Sequence, residues 1–299
     1  MSKALETLVH NLKLEQLETN LFRGVSLDQT RFRVYGGQVL GQAMAAASQT
    51  VESSCQVHSF ASYFLRPGDT SIPIVYDVDR VRDGRSIVTR HVTAIQKGRP
   101  IFEAIISFHI EETGFEHQAD MPNVPGPDSL PSEEERHLRY FEETNQTPEY
   151  NYQWPIEFRH VDPINFHQPE KKAATAYVWF KADGELPDET ALHQAVLAYA
   201  SDSPILVTAC RPHPEINADN ALLATINHSM WYHQPFRADQ WLLYALESTS
   251  ASNGRGFVRG SIFNQAGVLI ASATQEGILR TREKTHQMDI IGDPTGFRG

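Results

Sequence analysis

Four stretches in the first half of the chain alternate apolar with polar positions, near residues 56–66, 72–83, 86–97 and 100–110. The turn formers Arg66-Pro67-Gly68-Asp69, Asp83-Gly84 and Lys97-Gly98 separate them, and period-two alternation bounded by such turns predicts an antiparallel meander. Ahead of it, Val39, Leu40, Ala43, Met44, Ala46 and Ala47 recur at helical spacing behind Gly36-Gly37, ending near Thr50. One helix rich in small residues is therefore expected before the strands. The same order returns downstream. Strand patterns over 154–161 and 174–181 lead to Pro187-Asp188-Glu189-Thr190, a helix start with proline and acids in its first turn. A helix over 191–201 follows, then strands near 221–233, 240–250, 255–264 and 267–279, with turns at Gln234-Pro235, Asn253-Gly254 and Ala266-Gly267.

The repetition extends to single residues. His58-Ser59-Phe60 matches His228-Ser229-Met230, and the pairs Tyr76 and Tyr244, Gly84 and Gly254, and Gly98 and Gly267 stand 168 to 170 residues apart. Two related domains have been fused in one polypeptide. A lone helix ahead of an antiparallel meander can bury its apolar face only across the concave side of that sheet. Ala43, Ala46 and Ala47 in one helix, and Ala195, Ala198 and Ala200 in the other, allow that close wrapping. Each half alone leaves sheet edges open, and two halves can pair edge to edge. The expected fold class is α+β, with two tandem helix-wrapped antiparallel sheets pairing into one continuous sheet. The expected divisions are an N-terminal domain over 1–115, a linker over 116–150, a C-terminal domain over 151–285 and a tail over 286–299. Pro122, Pro125, Pro127 and Pro131, followed by Glu133-Glu134-Glu135, mark the linker.

Composition narrows the function classes. With 299 residues, of which 40% are hydrophobic, the chain can bury a core in each half. A net charge of −11 without any basic run excludes nucleic acid as an expected partner, because that binding draws on clustered Lys and Arg. No run approaches the roughly 18 apolar residues of a membrane span, and Met1-Ser2-Lys3-Ala4-Leu5-Glu6 lacks the order of a signal peptide. Cys55 and Cys210 are too few for a disulfide framework. Gly296-Phe297-Arg298-Gly299 is not a Ser-Lys-Leu-type address, so the expected compartment is the cytoplasm.

Specific motifs run along most of the chain. They are Phe22-Arg23-Gly24, Tyr35-Gly36-Gly37-Gln38-Val39-Leu40-Gly41-Gln42-Ala43, and His58-Ser59-Phe60 with Tyr63-Phe64-Leu65-Arg66-Pro67-Gly68-Asp69. Downstream stand His228-Ser229-Met230-Trp231-Tyr232-His233, Arg255-Gly256-Phe257-Val258-Arg259-Gly260 and Ala271-Ser272-Ala273-Thr274-Gln275-Glu276-Gly277. In these the chain resembles the acyl-CoA thioesterase II family, whose fold is the double hotdog. The resemblance implies hydrolysis of an acyl-CoA partner to a free carboxylic acid and CoA. It also implies that Asp202, Thr225 and Gln275 match the family's catalytic trio and that the chain forms a homo-oligomer, a dimer or a tetramer. Asn227 and Gln234 stand where the family more often has Asp and Arg, and Ala61 replaces a second frequent histidine. Those departures bear on the pocket and substrate preference.

Thioester hydrolysis needs a water made nucleophilic and donors for the oxyanion. An Asp can take a water proton while Thr and Gln fix that water. Each residue also has a plainer reading. Asp202 can shape the turn after its helix, Thr225 can be an ordinary β-branched strand residue, and Gln275 can be a structural amide in the row of Leu269, Ala271 and Ala273. The repeat supplies an internal control. Sequence offsets place Cys55 opposite Thr225, Ile106 opposite Gln275, and Ala47 or Thr50 opposite Asp202, so the N-terminal copy lacks the polar set. His58 and His228 align by the same offsets and so read as residues of the shared fold.

His58 remains a pocket candidate, with Gly37 opening a helix N-terminus and Arg255 among the arginines available to CoA phosphates, namely Arg66, Arg82, Arg85, Arg255 and Arg259. No G-x-S-x-G, no H-E-x-x-H and no complete P-loop occurs, so neither a metal nor a cofactor is expected. Two other classes stay open: a hotdog hydratase or dehydratase acting on an enoyl-CoA, and a non-catalytic acyl-CoA-binding protein.

Overall fold

A computed structural model describes residues 1–26, 33–144 and 154–282. The tail expected over 286–299 and the end of the linker lie outside the described residues. The first half contains α1 (Lys3–Leu12), β1 (Glu15–Glu18), β2 (Leu21–Gly24), α2 (Gly36–Ser48), β3 (Cys55–Phe64), β4 (Ile74–Asp83), β5 (Ile87–Gln96) and β6 (Arg99–Ile110). After α3 (Glu133–Thr144) come β7 (Ile156–His160), β8 (Thr175–Ala182), α4 (Thr190–Ile205), β9 (Ala221–Tyr232), β10 (Leu242–Ser252), β11 (Arg255–Asn264) and β12 (Leu269–Thr281).

Among the described residues all twelve strands join in one sheet, ordered β1-β2-β4-β5-β6-β3-β9-β12-β11-β10-β8-β7. The second half is the first in reverse order, as a double hotdog requires. The halves meet where β3 pairs antiparallel with β9, from Ser59 opposite Trp231 to Tyr63 opposite Asn227. Tight turns close the hairpins. Lys97 and Gly98 have φ of 52° and 69°, and Asn253 and Gly254 have 50° and 70°, the two consecutive left-handed residues that a type I′ turn requires.

Both central helices lie against the sheet and against each other. α4 is buried around nearly its whole circumference, including Ala195, Val196, Leu197, Ala198, Tyr199 and Ala200, as a helix between two apolar layers must be. α2 buries Val39, Leu40, Ala43, Met44, Ala46 and Ala47. The two helices approach closely because α2 presents glycine. A Cβ on Gly37 would sit 2.2 Å from the Tyr199 carbonyl oxygen, and one on Gly41 would sit 3.1 Å from that of Ala195.

Three features depart from the pattern-based expectations. The helix predicted over 191–201 runs on to Ile205, carrying Pro204 in its last turn, so Asp202 is a helical residue rather than one of a following turn. α1 was not expected; Ser2 caps it by accepting the Leu5 N–H at 3.2 Å, and Leu5, Leu8, Val9 and Leu12 are buried. The proline-rich segment is docked rather than free. Met121, Val124 and Leu130 pack on Trp179, Leu243 and Phe263, and the Trp179 indole donates to the Pro125 carbonyl at 2.9 Å.

The helix contact yields a stability prediction. Gly37→Ala forces a methyl group against backbone, and overpacking of this kind costs about 1–3 kcal/mol. A thermal melt is expected to show Tm lowered by several degrees; an unchanged Tm would mean that the helices can separate freely.

Candidate active site

Asp202 leaves α4 toward the N-terminus of α2, where its Oδ2 accepts the Gly37 backbone N–H at 2.9 Å. Its Oδ1 accepts the Thr225 hydroxyl at 3.2 Å. Thr225 Oγ1 in turn accepts from Gln275 Nε2 at 2.7 Å, and Gln275 Oε1 lies 2.7 Å from His228 Nδ1. The other ring nitrogen of His228 is 3.0 Å from the hydroxyl of Ser201, the residue just before Asp202. The hydrogen bonds therefore form a ring that starts and ends on α4. It lies at the seam between the halves, where Ser62 of β3 donates to the His228 carbonyl at 2.7 Å.

Backbone irregularity makes the ring. Thr225 and His228 are three residues apart, and strict alternation would put them on opposite faces of β9. The register slips there: Thr225 faces Gly277 and Asn227 faces Glu276, leaving Ile226 bulged. The bulge returns His228 to the inner face that Thr225 also occupies. Gln275 reaches that face from β12, directly opposite His228. On α2, a Cβ at Gly36 would lie 2.6 Å from Asp202 Oδ2, so glycine there admits the carboxylate.

Electrostatics are set by burial. Desolvation pushes the Asp202 carboxyl above the usual carboxylate range, opposed in order by the His228 ring, the Thr225 hydroxyl, the Gly37 N–H and Gln275. Desolvation likewise pushes the His228 imidazole below its ordinary value, with Asp202 and Gln275 pulling the other way. Gly37 lies in the first turn of α2, whose dipole favours a negative charge, whereas the end of α4 disfavours one.

Other candidates lie elsewhere. His58 is bulged out of β3 between Val57 and Ser59; its Nε2 is 2.7 Å from the Ser107 hydroxyl and its ring is 6.0 Å from that of His109. No hydrogen bond joins it to the ring around Asp202 among the described residues. Arg255 donates to Glu276 at 2.9 Å and Arg259 to Glu247 at 2.6 Å, both at the exposed surface. Arg66 donates to the Pro100 carbonyl at 2.6 Å.

The expected equivalence of His58 and His228 needs correction. Leu65 and Arg66 N–H both donate to the Ile101 carbonyl, and His233 and Gln234 N–H both donate to that of Ile270. In that structural register the bulged residues His58 and Ile226 coincide. The counterparts of Thr225, His228 and Gln275 are then Val57, Phe60 and Ile106, since Val57 pairs with Phe108 as Thr225 pairs with Gly277, and Phe60 pairs with Ile106 as His228 pairs with Gln275. The matching His-Ser dipeptides are two residues out of structural register. His228 is thus not a residue shared by both copies but one that differs between them.

A family model described as acyl-CoA thioesterase matches residues 148–278, and one described as acyl-CoA thioesterase N-terminal domain matches residues 26–109. The acyl-CoA thioesterase 2 of Haemophilus influenzae is 40% identical over 287 residues, covering 95% of this chain and 100% of that protein. The chain belongs to the acyl-CoA thioesterase II family. Human acyl-coenzyme A thioesterase 8 is 36% identical over 289 residues, covering 93% of this thioesterase and 90% of the human protein. The crystal structure of acyl-CoA thioesterase II TesB2 from Mycobacterium marinum superposes with a TM-score of 0.76 at 39% identity, covering 93% of this chain and 99% of that one.

In this thioesterase the raised Asp202 pKa links stability to pH. The native carboxyl holds its proton more tightly than the unfolded one, so its contribution is full below the unfolded pKa and is lost as pH rises through the native pKa. Asp202→Asn has no such proton. The melting temperature of the variant relative to wild type is expected to climb between pH 4 and pH 8; a constant difference would mean that Asp202 titrates normally.

Proposed function

We propose that the thioesterase works by direct attack of one water held by Asp202, Thr225 and Gln275, without an acyl-enzyme. The observation that carries this reading is the direction of the hydrogen bonds: Gly37 N–H and the Thr225 hydroxyl both donate to Asp202, which leaves the carboxylate as the proton acceptor of the group. Gln275 gives one Nε2 proton to Thr225 and keeps a second to orient the water. The water oxygen attacks the thioester carbon and its proton passes to Asp202. The tetrahedral intermediate then expels the CoA thiolate by breaking the C–S bond, and the proton on Asp202 returns to the thiolate, giving carboxylic acid and CoA.

The N-terminal copy is assigned no catalytic centre, because Val57, Phe60 and Ile106 offer no side-chain donor or acceptor. A hydratase would need a His/acid pair facing its ligand. Both ring nitrogens of His228 are instead engaged by Gln275 and Ser201, which disfavours that rival.

Free-thiol release from short, medium and long acyl-CoAs tests the reading. Asp202→Asn is expected to lower kcat by about 100-fold or more with substrate binding retained. Near wild-type turnover in that variant would remove Asp202 from the role of base.

A further inference from the structure

We infer that His228, backed by Ser201, is a positioning residue that fixes which end of the Gln275 amide faces Thr225 and so aims the ring's protons at Asp202. The inference rests on the water-activation reading above. A primary amide has nearly the same shape either way round, so only hydrogen bonding distinguishes its two ends.

Two proton orders can fill the ring. In the first, the Ser201 hydroxyl, which has the Ala198 carbonyl at 2.9 Å and His228 Nε2 at 3.0 Å as rival acceptors for its one proton, donates to His228 Nε2, His228 Nδ1–H donates to Gln275 Oε1, Gln275 Nε2 donates to Thr225, and Thr225 donates to Asp202. In the second, every arrow from Ser201 to Thr225 reverses, and the Ser201 proton goes to the Ala198 carbonyl. The Thr225 hydroxyl then gives its only proton to Gln275 and turns a lone pair toward Asp202, which must be protonated to tolerate it. The second order leaves no base.

A neutral imidazole carries one N–H, so the tautomer of His228 selects the order. Complete burial disfavours an imidazolium that would donate from both nitrogens. The Asp202 carboxylate favours the first order because each dipole in that line points its positive end toward the charge.

The duplicated half supports a role tied to the polar set. The counterpart of His228 is Phe60, apolar like Val57 and Ile106, and the two rings stack across the seam at 5.8 Å and 25°. A residue needed only to fill the shared fold has no reason to change together with Thr225 and Gln275.

A double-mutant cycle on thioester hydrolysis tests this, using His228→Phe, Gln275→Ala and both together. His228→Phe keeps an aromatic ring and copies the residue of the other half. It is expected to lower kcat about 10- to 100-fold with KM within about threefold, and the double variant to be within about threefold of Gln275→Ala. Losses that multiply in the double variant would overturn the inference, as would wild-type kcat in His228→Phe beside a disabled Gln275→Ala. Full activity in Gln275→Ala would instead overturn the underlying water-activation reading.

A second measurement needs no folded His228 variant. Ring-nitrogen NMR of the wild type, with the His228 signal picked from the 13 histidines by its displacement in Gln275→Ala, reads the tautomer directly. A neutral Nδ1–H ring is expected; an Nε2–H ring or an imidazolium at neutral pH would overturn the proposal.

Discussion

Much of the molecule depends on one interaction, the Asp202 carboxylate accepting the Gly37 N–H across the contact between the two central helices. A carboxylate at the end of α4 is opposed by that helix's own dipole. It can be held there because a second helix starts alongside and offers an N–H. This requires the helices to approach so closely that α2 must carry glycine where it meets Asp202 and Tyr199. The approach in turn requires both helices to lie on one uninterrupted sheet, which the pairing of β3 with β9 supplies. Sheet continuity, helix spacing and carboxylate placement are therefore one constraint seen at three scales.

Duplication explains why only one such place is polar. In both halves the strand that forms the seam carries a bulge at the same structural position, His58 in β3 and Ile226 in β9. The bulge brings two nearby side chains to the inner face in each copy. One copy fills those positions with Val57 and Phe60, the other with Thr225 and His228. The backbone device belongs to the fold, and the chemistry depends on which side chains use it.

Much of this was legible in the sequence. Eight strands of the two meanders lie within about three residues of their alternation patterns, because period two is a strong signal wherever one face is buried. The edge pairing of the halves followed from open sheet edges, and the resemblance pointed to Asp202, Thr225 and Gln275, which the fold brings into hydrogen-bonding contact. The extent of α4 did not, since Pro204 tolerates a place in the last turn and burial on all sides rewards the extra residues. The helical spacing of Leu5, Leu8, Val9 and Leu12 is present in the sequence, as the buried face of α1 shows. The alignment of His58 with His228 failed for a definite reason. Matching dipeptides by offset ignores that bulges, not identities, set structural register, and an apolar Phe60 in the true counterpart position left no visible likeness.

The N-terminal half shows what the fold does with a buried charge that has no chemistry to perform. Arg90 pairs with Ile106 as Val258 pairs with Gln275, so the two positions correspond. Arg90 is 1% exposed, yet its guanidinium donates to the Thr50 hydroxyl at 2.8 Å, to the Thr50, Arg82 and Thr89 carbonyls at 3.0 to 3.1 Å, and to Asp83 at 2.5 Å. Such full pairing offsets the desolvation of an ion and leaves nothing reactive. Asp202 accepts from the Gly37 N–H and the Thr225 hydroxyl, with Gln275 also acting on it, and burial still raises its pKa. A guanidinium with all its donors paired in one copy, and a carboxylate whose protonation is set by burial in the other, separate a charge that holds the fold from the charge that the proposed mechanism uses as its base.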